Sequence, residues 1–219
     1  MIPVETALRV ARARADRYGY QLVLPGDPRR EAVLYGLAAV HALTGSGWSL
    51  DHARERVCVT LPGAGSAALG LLATVPGVGP LLAAAGARVE RPQVYLSPAA
   101  LRDGAVLLGT IRHEEGHVGQ IRVGGLPWCV AYGVVNEVRA GAEAPCYGAD
   151  LAVRAALGES PRRLYDGALE SLRAYGLGDD IALAEALLRS TLVGLEEGAD
   201  PGGIGAEMLA EIEHAAAVP

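Results

Sequence analysis

The feature that most constrains this chain is the segment Ile111–His117, which reads Ile-Arg-His-Glu-Glu-Gly-His and contains the pattern H-E-x-x-H. In an α-helix, residues four apart lie on the same face, about one turn from each other. His113 and His117 can therefore direct two imidazoles towards one point, with the Glu114 carboxylate beside the first of them. This arrangement suits Zn²⁺ together with a general base that acts on water. The alternative is a solvated helix face without a metal.

The composition is that of a globular chain with one sizeable core. Of its 219 residues, 51% are apolar and 20% are charged, which favours a folded domain over a disordered segment. The formal net charge is −6, and all 19 positive charges are arginine. Because there is no basic surplus to neutralise phosphates, we expect no nucleic-acid partner.

The cysteines are Cys58, Cys129 and Cys146, an odd number with no C-x-x-C pair. A disulfide framework or a four-cysteine zinc site is therefore not expected, and Cys129 and Cys146 are interpreted as core residues. Residues 1–20 carry arginines among acids and lack the apolar segment of a signal peptide. We therefore expect a cytoplasmic protein.

Hydrophobic spacing and capping residues predict a mainly α (α+β) fold, in which a small β element precedes the H-E-x-x-H helix. Asp103–Gly104 caps that helix, which is predicted over 104–122 and ends at Gly124–Gly125. Pro145 predicts a helix start at 142–144, because proline is tolerated only near a helix start. Strands are predicted at 57–60 and 91–96. The other predicted helices cover 5–18, 28–44, 49–56, 126–140, 161–175, 180–196 and 203–216.

The whole chain, 1–219, is predicted to form a single domain. Residues 1–93 form its N-terminal helical and apolar part, 94–157 the metal-site core and 158–219 a C-terminal helical scaffold. The stretch Leu61–Ala87 contains no charged residue and is long enough to suggest a membrane span. Three prolines and six glycines interrupt it, however, and would leave backbone groups unpaired in lipid. We favour short buried or cleft-lining helices here, with a membrane-contacting hairpin as the alternative.

A third metal ligand is expected downstream of the two histidines. Two imidazoles alone hold zinc weakly, and catalytic zinc sites add a third protein ligand and leave one position for water. Glu143 follows His117 at a distance that allows a second helix to fold back against the first, and Glu137 is the second candidate. Glu143, Tyr147 and Asp150 would share one face of that second helix.

The segment Val94–Leu101 is predicted to form a short strand and a turn. His113–Gln120 has the sequence His-Glu-Glu-Gly-His-Val-Gly-Gln. Over 94–151 the chain resembles the core of small bacterial zincin-like metallopeptidases, in which an H-E-x-G-H-V-x-Q helix follows a short strand. Glu143–Tyr147 is similar to the E-x-x-A-Y segment of the gluzincin branch, although Tyr147 stands where that branch has an aspartate. The resemblance implies two histidine ligands, Glu114 as general base and Glu143 as third ligand.

We also expect particular roles or environments for several other side chains. Asp150 can orient a ligand histidine, and Tyr132 or Tyr147 can donate a hydrogen bond to the oxyanion that develops on a substrate carbonyl. Tyrosines that simply pack in the core fit the same pattern. Glu115 is expected to be exposed to solvent, and His41 to be a hydrogen-bonded core residue.

The leading hypothesis for function is a zinc-dependent metallopeptidase that acts on a peptide or protein substrate. It would hydrolyse peptide bonds with a zinc-activated water, with Glu114 as general base and Tyr147 as a second catalytic group. Two alternatives stay open. One is a non-catalytic protein that uses zinc for structure or regulation, and the other is a membrane-associated protein that uses residues 61–87.

Overall fold

The computed structural model describes residues 1–31, 33–34, 54–55, 58–62 and 91–217. Over these residues the fold is mainly helical with one small three-stranded sheet, as predicted. The longer helices are α1 Val4–Arg17, α2 Gly104–Val134, α3 Asn136–Ala156, α4 Pro161–Ala174, α5 Ile181–Glu196 and α6 Ile204–Ala217. The strands are β1 Gln21–Val23, β2 Val59–Leu61 and β3 Gln93–Tyr95.

The central strand of the sheet precedes α2 in the chain. β3 is the central strand, parallel to β1 and antiparallel to β2, with Thr60 of β2 opposite Val94 of β3. All three residues of β3 are buried. After a 3₁₀ turn, the Asp103 carboxylate accepts a hydrogen bond of 2.7 Å from the Ala105 N–H and caps α2. The predicted strand, turn and capped helix are therefore confirmed in that order.

Two hydrophobic clusters form the core. The first cluster joins α1, the sheet, α2 and α6. The second cluster joins α3, α4 and α5. Helix α3 contributes Val153 to the first cluster and Leu151 to the second, so it connects them.

One predicted helix boundary was wrong. The break expected near residue 141 occurs at Val135, which is extended between α2 and α3. Pro145 lies inside α3, so no helix begins at 142–144. Because Pro145 is exposed, water can bond the Gly141 carbonyl that the proline leaves without a helical donor. The helix end predicted at Gly124–Gly125 is confirmed, because Gly125 is non-helical with a φ of 58° and divides α2 into two helical segments.

Other predicted elements are confirmed or lie outside the described residues. Helices α1, α4, α5 and α6 lie close to their predicted bounds, and the chain becomes helical at Pro28, as predicted. His41, most of 49–56 and nearly all of 61–87 are outside the described residues. None of the helices that the structure describes is long and apolar enough to cross a membrane.

Candidate metal centre

Two buried histidines of α2 meet at one point, as the H-E-x-x-H spacing predicts. His113 and His117 are both less than a tenth exposed. Their Nε2 atoms are 3.2 Å apart, and their rings meet edge to face with centroids 5.0 Å apart. Ile111 and Val118 on the same helix are buried in the first cluster and anchor α2 there.

Glu143 of α3 completes the group. Its Oε2 lies 3.3 Å from the Nε2 of His113, and its Oε1 lies 3.4 Å from the Nε2 of His117. One potential ligand atom from each of the three residues lies within 4.8 Å of the other two. Glu143 is fully buried. Glu137, the other candidate, is exposed in the first turn of α3 and is not part of this group.

Helices α2 and α3 approach closely because glycines stand at their contact. A Cβ added at Gly116 would lie 2.4 Å from the Sγ of Cys146, and one added at Gly109 would lie 1.9 Å from the Oδ1 of Asp150. Both distances are far shorter than a van der Waals contact, so a side chain at either position would force a shift. This close approach brings Glu143 within reach of the two histidines.

Two further side chains, Gln120 and Tyr132, form hydrogen bonds with the proposed ligand residues. The Oε1 of Gln120 lies 2.8 Å from the Nδ1 of His117, and the Nε2 of Gln120 donates to the Ala142 carbonyl at 3.0 Å. The Tyr132 hydroxyl donates a hydrogen bond to the Oε1 of Glu143. The Oε2 of Glu143 is a buried oxygen that faces the Nε2 of His113 and forms no hydrogen bond of regular geometry with a described residue.

The electrostatics of the group favour a positive charge at its centre. Burial would raise the pKa of Glu143, but its close contacts with the imidazoles of His113 and His117 outweigh burial and hold this pKa well below its ordinary 4.5. Burial would lower the pKa of His117, but contacts with Cys146 and Glu143 outweigh it and raise this pKa well above 6.5. Converging imidazole nitrogens and a carboxylate therefore favour a proton or a metal cation between them.

Glu114 is held against the sheet. The Oγ1 of Thr60 on β2 donates a hydrogen bond of 2.6 Å to the Oε2 of Glu114. The side chain is buried. After burial and Glu143, the charge of Glu114 also contributes to raising the pKa of Tyr132. Glu114 therefore lies within electrostatic reach of the site without belonging to its three-residue ligand group.

The prediction that Glu115 is exposed to solvent was wrong. Glu115 is buried and receives two parallel hydrogen bonds of 2.8 Å from the Arg14 guanidinium of α1, and a third of 3.2 Å from the Tyr20 hydroxyl. Arg14 also donates to Glu211 of α6 at 2.7 Å. The spacing of α1 contained the signal for this pair, because Arg14 follows Val10 by four residues on the buried face.

Tyr147 and Asp150 lie on the His113 side of the site. The rings of Tyr147 and His113 meet edge to face with centroids 4.5 Å apart. Burial raises the pKa of the Tyr147 hydroxyl and that of the Asp150 carboxyl. The oxyanion role of Tyr147 and the orienting role of Asp150 stay predictions.

The core role of the cysteines is confirmed for Cys146, which is buried, while Cys129 is half-buried. Cys146 also lies 3.8 Å, measured from its Sγ, from the Nδ1 of His117. Its thiol therefore borders the ligand group.

Comparison with known protein families, with curated proteins and with solved structures finds no match for this chain. The resemblance of residues 94–151 to zincin-like metallopeptidases therefore depends on the sequence motif. The case for a function depends on the geometry of the site itself.

Proposed function

We propose that this chain binds one zinc ion through His113, His117 and Glu143 and uses the site to hydrolyse peptide bonds. The observation that carries the proposal is the convergence of two imidazole nitrogens and a buried carboxylate on one point. The Oε2 of Glu143 is buried and lies 3.3 Å from the Nε2 of His113, without a hydrogen bond of regular geometry to any described residue. Buried polar atoms normally have a partner, and a cation held between this oxygen and the two imidazoles would provide one.

The donor set favours zinc over Mg²⁺ and Ca²⁺. Two imidazole nitrogens and one carboxylate oxygen are typical of catalytic zinc sites, which keep a further position for water or substrate. Mg²⁺ and Ca²⁺ prefer ligand sets made of oxygen. When bound, zinc would polarise a substrate carbonyl and make a water molecule more acidic.

Glu114 is the residue that we assign as general base. Thr60 fixes one of its carboxylate oxygens, so the other oxygen can accept a proton from water and pass it to the leaving amine. Tyr147 is the proposed donor to the substrate oxyanion. The choice of a peptide bond as the substrate comes from the motif resemblance.

A second candidate is a non-catalytic zinc protein in which the metal joins two helices. The observation that favours it is the burial of all three ligand residues, which come from α2 and α3 and so connect the two hydrophobic clusters. Structural zinc sites have four protein ligands and no water position. The three ligands that the described residues supply therefore fit the catalytic proposal better.

Replacement of Glu114 tests the catalytic proposal. We expect Glu114→Gln to bind one zinc ion per chain, as the wild type does, but to lose hydrolysis of a degenerate peptide library by about 10²–10⁴-fold, because the proton acceptor is gone. The matched control is Glu137→Gln, the same change at an exposed carboxylate of α3, which should leave both properties unchanged. The readouts are metal content and mass-spectrometric detection of cleaved peptides.

Two outcomes of that experiment count against the proposal. Undiminished hydrolysis by Glu114→Gln would remove the general-base role. A zinc-loaded wild type that cleaves no member of the library would favour the non-catalytic candidate.

A further inference from the structure

Gln120 links the second histidine of the site to the helix that carries the third ligand. It lies three residues after His117 on α2, and its Oε1 is 2.8 Å from the Nδ1 of that histidine. Its Nε2 donates to the backbone carbonyl of Ala142 on α3 at 3.0 Å and lies 3.7 Å from the Sγ of Cys146. One amide group therefore contacts both helices at the site.

The carbonyl of Ala142 determines which way this amide is oriented. A backbone carbonyl can only accept a hydrogen bond, so the NH₂ group of Gln120 must face it. The amide oxygen of Gln120 then faces His117, and because this oxygen also only accepts, the Nδ1 of His117 must carry a proton. In the neutral ring the lone pair is therefore on Nε2, the atom that faces His113 and Glu143.

We propose that Gln120 is a positioning residue that sets the tautomer and ring orientation of His117 for metal binding. Its acceptor function towards Nδ1 is the essential one, and its bond to Ala142 keeps the amide from rotating. This inference rests on the metal site of the proposed function but not on peptide hydrolysis. Polar groups that hold the second ring nitrogen of a metal-binding histidine raise the basicity of the ligand and fix its direction.

Two substitutions separate the acceptor function from the helix-to-helix bond. Gln120→Glu keeps an oxygen for the Nδ1–H but loses the donor to Ala142. Gln120→Met has a similar length and neither accepts strongly nor donates. The matched control is Gln21→Met on β1, where the glutamine side chain pairs with Gln93 at 2.9 Å.

Zinc affinity, measured by competition with a chromogenic chelator, is the first readout. We expect Gln120→Met to weaken zinc binding by about 10–100-fold, and Gln120→Glu and Gln21→Met to bind like the wild type. Unchanged affinity in Gln120→Met would overturn the inference. So would a loss in Gln120→Glu as large as that in Gln120→Met, because the bond to Ala142 would then be the important one.

The second readout is the ¹⁵N NMR spectrum of His117 in the metal-free protein, at a pH high enough for the ring to be neutral. The wild type and Gln120→Glu should show a protonated Nδ1 and an unprotonated Nε2, and Gln120→Met should lose this preference. A wild-type ring protonated on Nε2 would overturn the inference even if zinc binds. If the wild type binds no zinc but shows the Nδ1–H tautomer, the proposed function and the role of Gln120 in metal binding both fail, and only its control of the His117 tautomer stands.

Discussion

Glu114 and Glu115 are adjacent in the chain but face different parts of the protein. Glu114 accepts a hydrogen bond from Thr60 of the sheet, next to the candidate metal centre. Glu115 faces α1 and pairs with Arg14, which is only 1% exposed. Burial would lower the pKa of Arg14, but its bonds to Glu115 and Glu211 outweigh it and raise this pKa. One residue of the motif therefore faces the sheet, while its neighbour ties α2 to α1.

The first prediction concerns this anchor. Arg14→Met should lower the free energy of unfolding by about 3–5 kcal/mol, because it leaves the buried Glu115 carboxylate without its main partner. The control is Arg17→Met, which removes a 60% exposed partner of the same Glu211 and should change the free energy of unfolding far less, because water screens exposed ion pairs. Urea unfolding measures both changes. Equal losses of unfolding free energy in the two variants would show that the buried Arg14–Glu115 pair stabilises the fold no more than an exposed pair does.

The second prediction concerns pH and the ligand residues. The raised pKa of His117 gives a stabilisation that is complete below its ordinary 6.5 and is lost as pH rises through the folded-state value. The lowered pKa of Glu143 gives one that is present above 4.5 and is lost as pH falls through its folded-state value. The metal-free protein should therefore lose stability as pH rises above about 6.5, while zinc affinity increases because fewer protons compete for the ligands.

Unfolding in urea across this pH range, with and without zinc, checks the second prediction. Glu143→Gln serves as the comparison, because it removes the Glu143 charge, which together with the contact to Cys146 raises the pKa of His117. Its metal-free stability should change less with pH than that of the wild type. Parallel pH profiles in the two proteins would contradict the assignment.

At the scale of elements, the site depends on how closely α2 and α3 pack. Gly116 faces Cys146 across this contact, and a Cβ there would meet the Sγ at 2.4 Å. Gly119, on the same helix, is exposed and has no atom within 4 Å of an added Cβ. The two glycines therefore differ in packing while sharing the same helical environment.

The third prediction uses this difference. Gly116→Ala should push α3 away, lower stability by about 1–3 kcal/mol and weaken zinc binding, because overpacking forces a backbone shift. Adding Cys146→Ala removes the Sγ and should restore zinc binding. Gly119→Ala should keep zinc binding and gain roughly 0.5–1 kcal/mol from helix propensity. Zinc titration and thermal unfolding measure these effects, and failure of the double variant to recover zinc binding would rule out the clash as the cause.

The α2 side of the site could be predicted from the sequence better than the α3 side. His113 and His117 follow from helical geometry alone, and Asp103 is a local cap. The break at Val135 has no side-chain cap to indicate it, and Pro145 argued for a helix start that does not exist. Strand β1 was not predicted, because three residues carry little pattern and its pairing with β3 is non-local. The helix break, the position of Pro145 inside α3 and the pairing of β1 all depend on tertiary contacts, which local sequence patterns do not contain.

At the scale of the whole molecule, the candidate metal centre lies between the two hydrophobic clusters. Its histidines belong to α2, which packs in the first cluster, and Glu143 stands between Ala140 and Ala144, which pack in the second. A bound ion would therefore connect the two clusters directly.

The fourth prediction follows from this position. A ligand that binds only the folded state stabilises it by mass action, by about 2.7 kcal/mol when its free concentration is roughly 100 times its dissociation constant. Zinc should therefore raise the midpoint of thermal unfolding in the wild type and leave Glu143→Gln nearly unchanged. Calorimetry with matched metal-free samples measures the shift. Equal shifts in the two proteins would place the ion elsewhere.

X-ray absorption at the zinc edge, with metal content measured on the same sample, tests the central claim most directly. We predict one zinc ion per chain, with two imidazole nitrogens and carboxylate oxygen among its neighbours. We also predict that one imidazole is lost from the spectrum of His113→Ala and that the ion is lost or weakly held in Glu143→Gln. A protein that binds no zinc, or one whose zinc spectrum is the same in all three samples, would contradict the account.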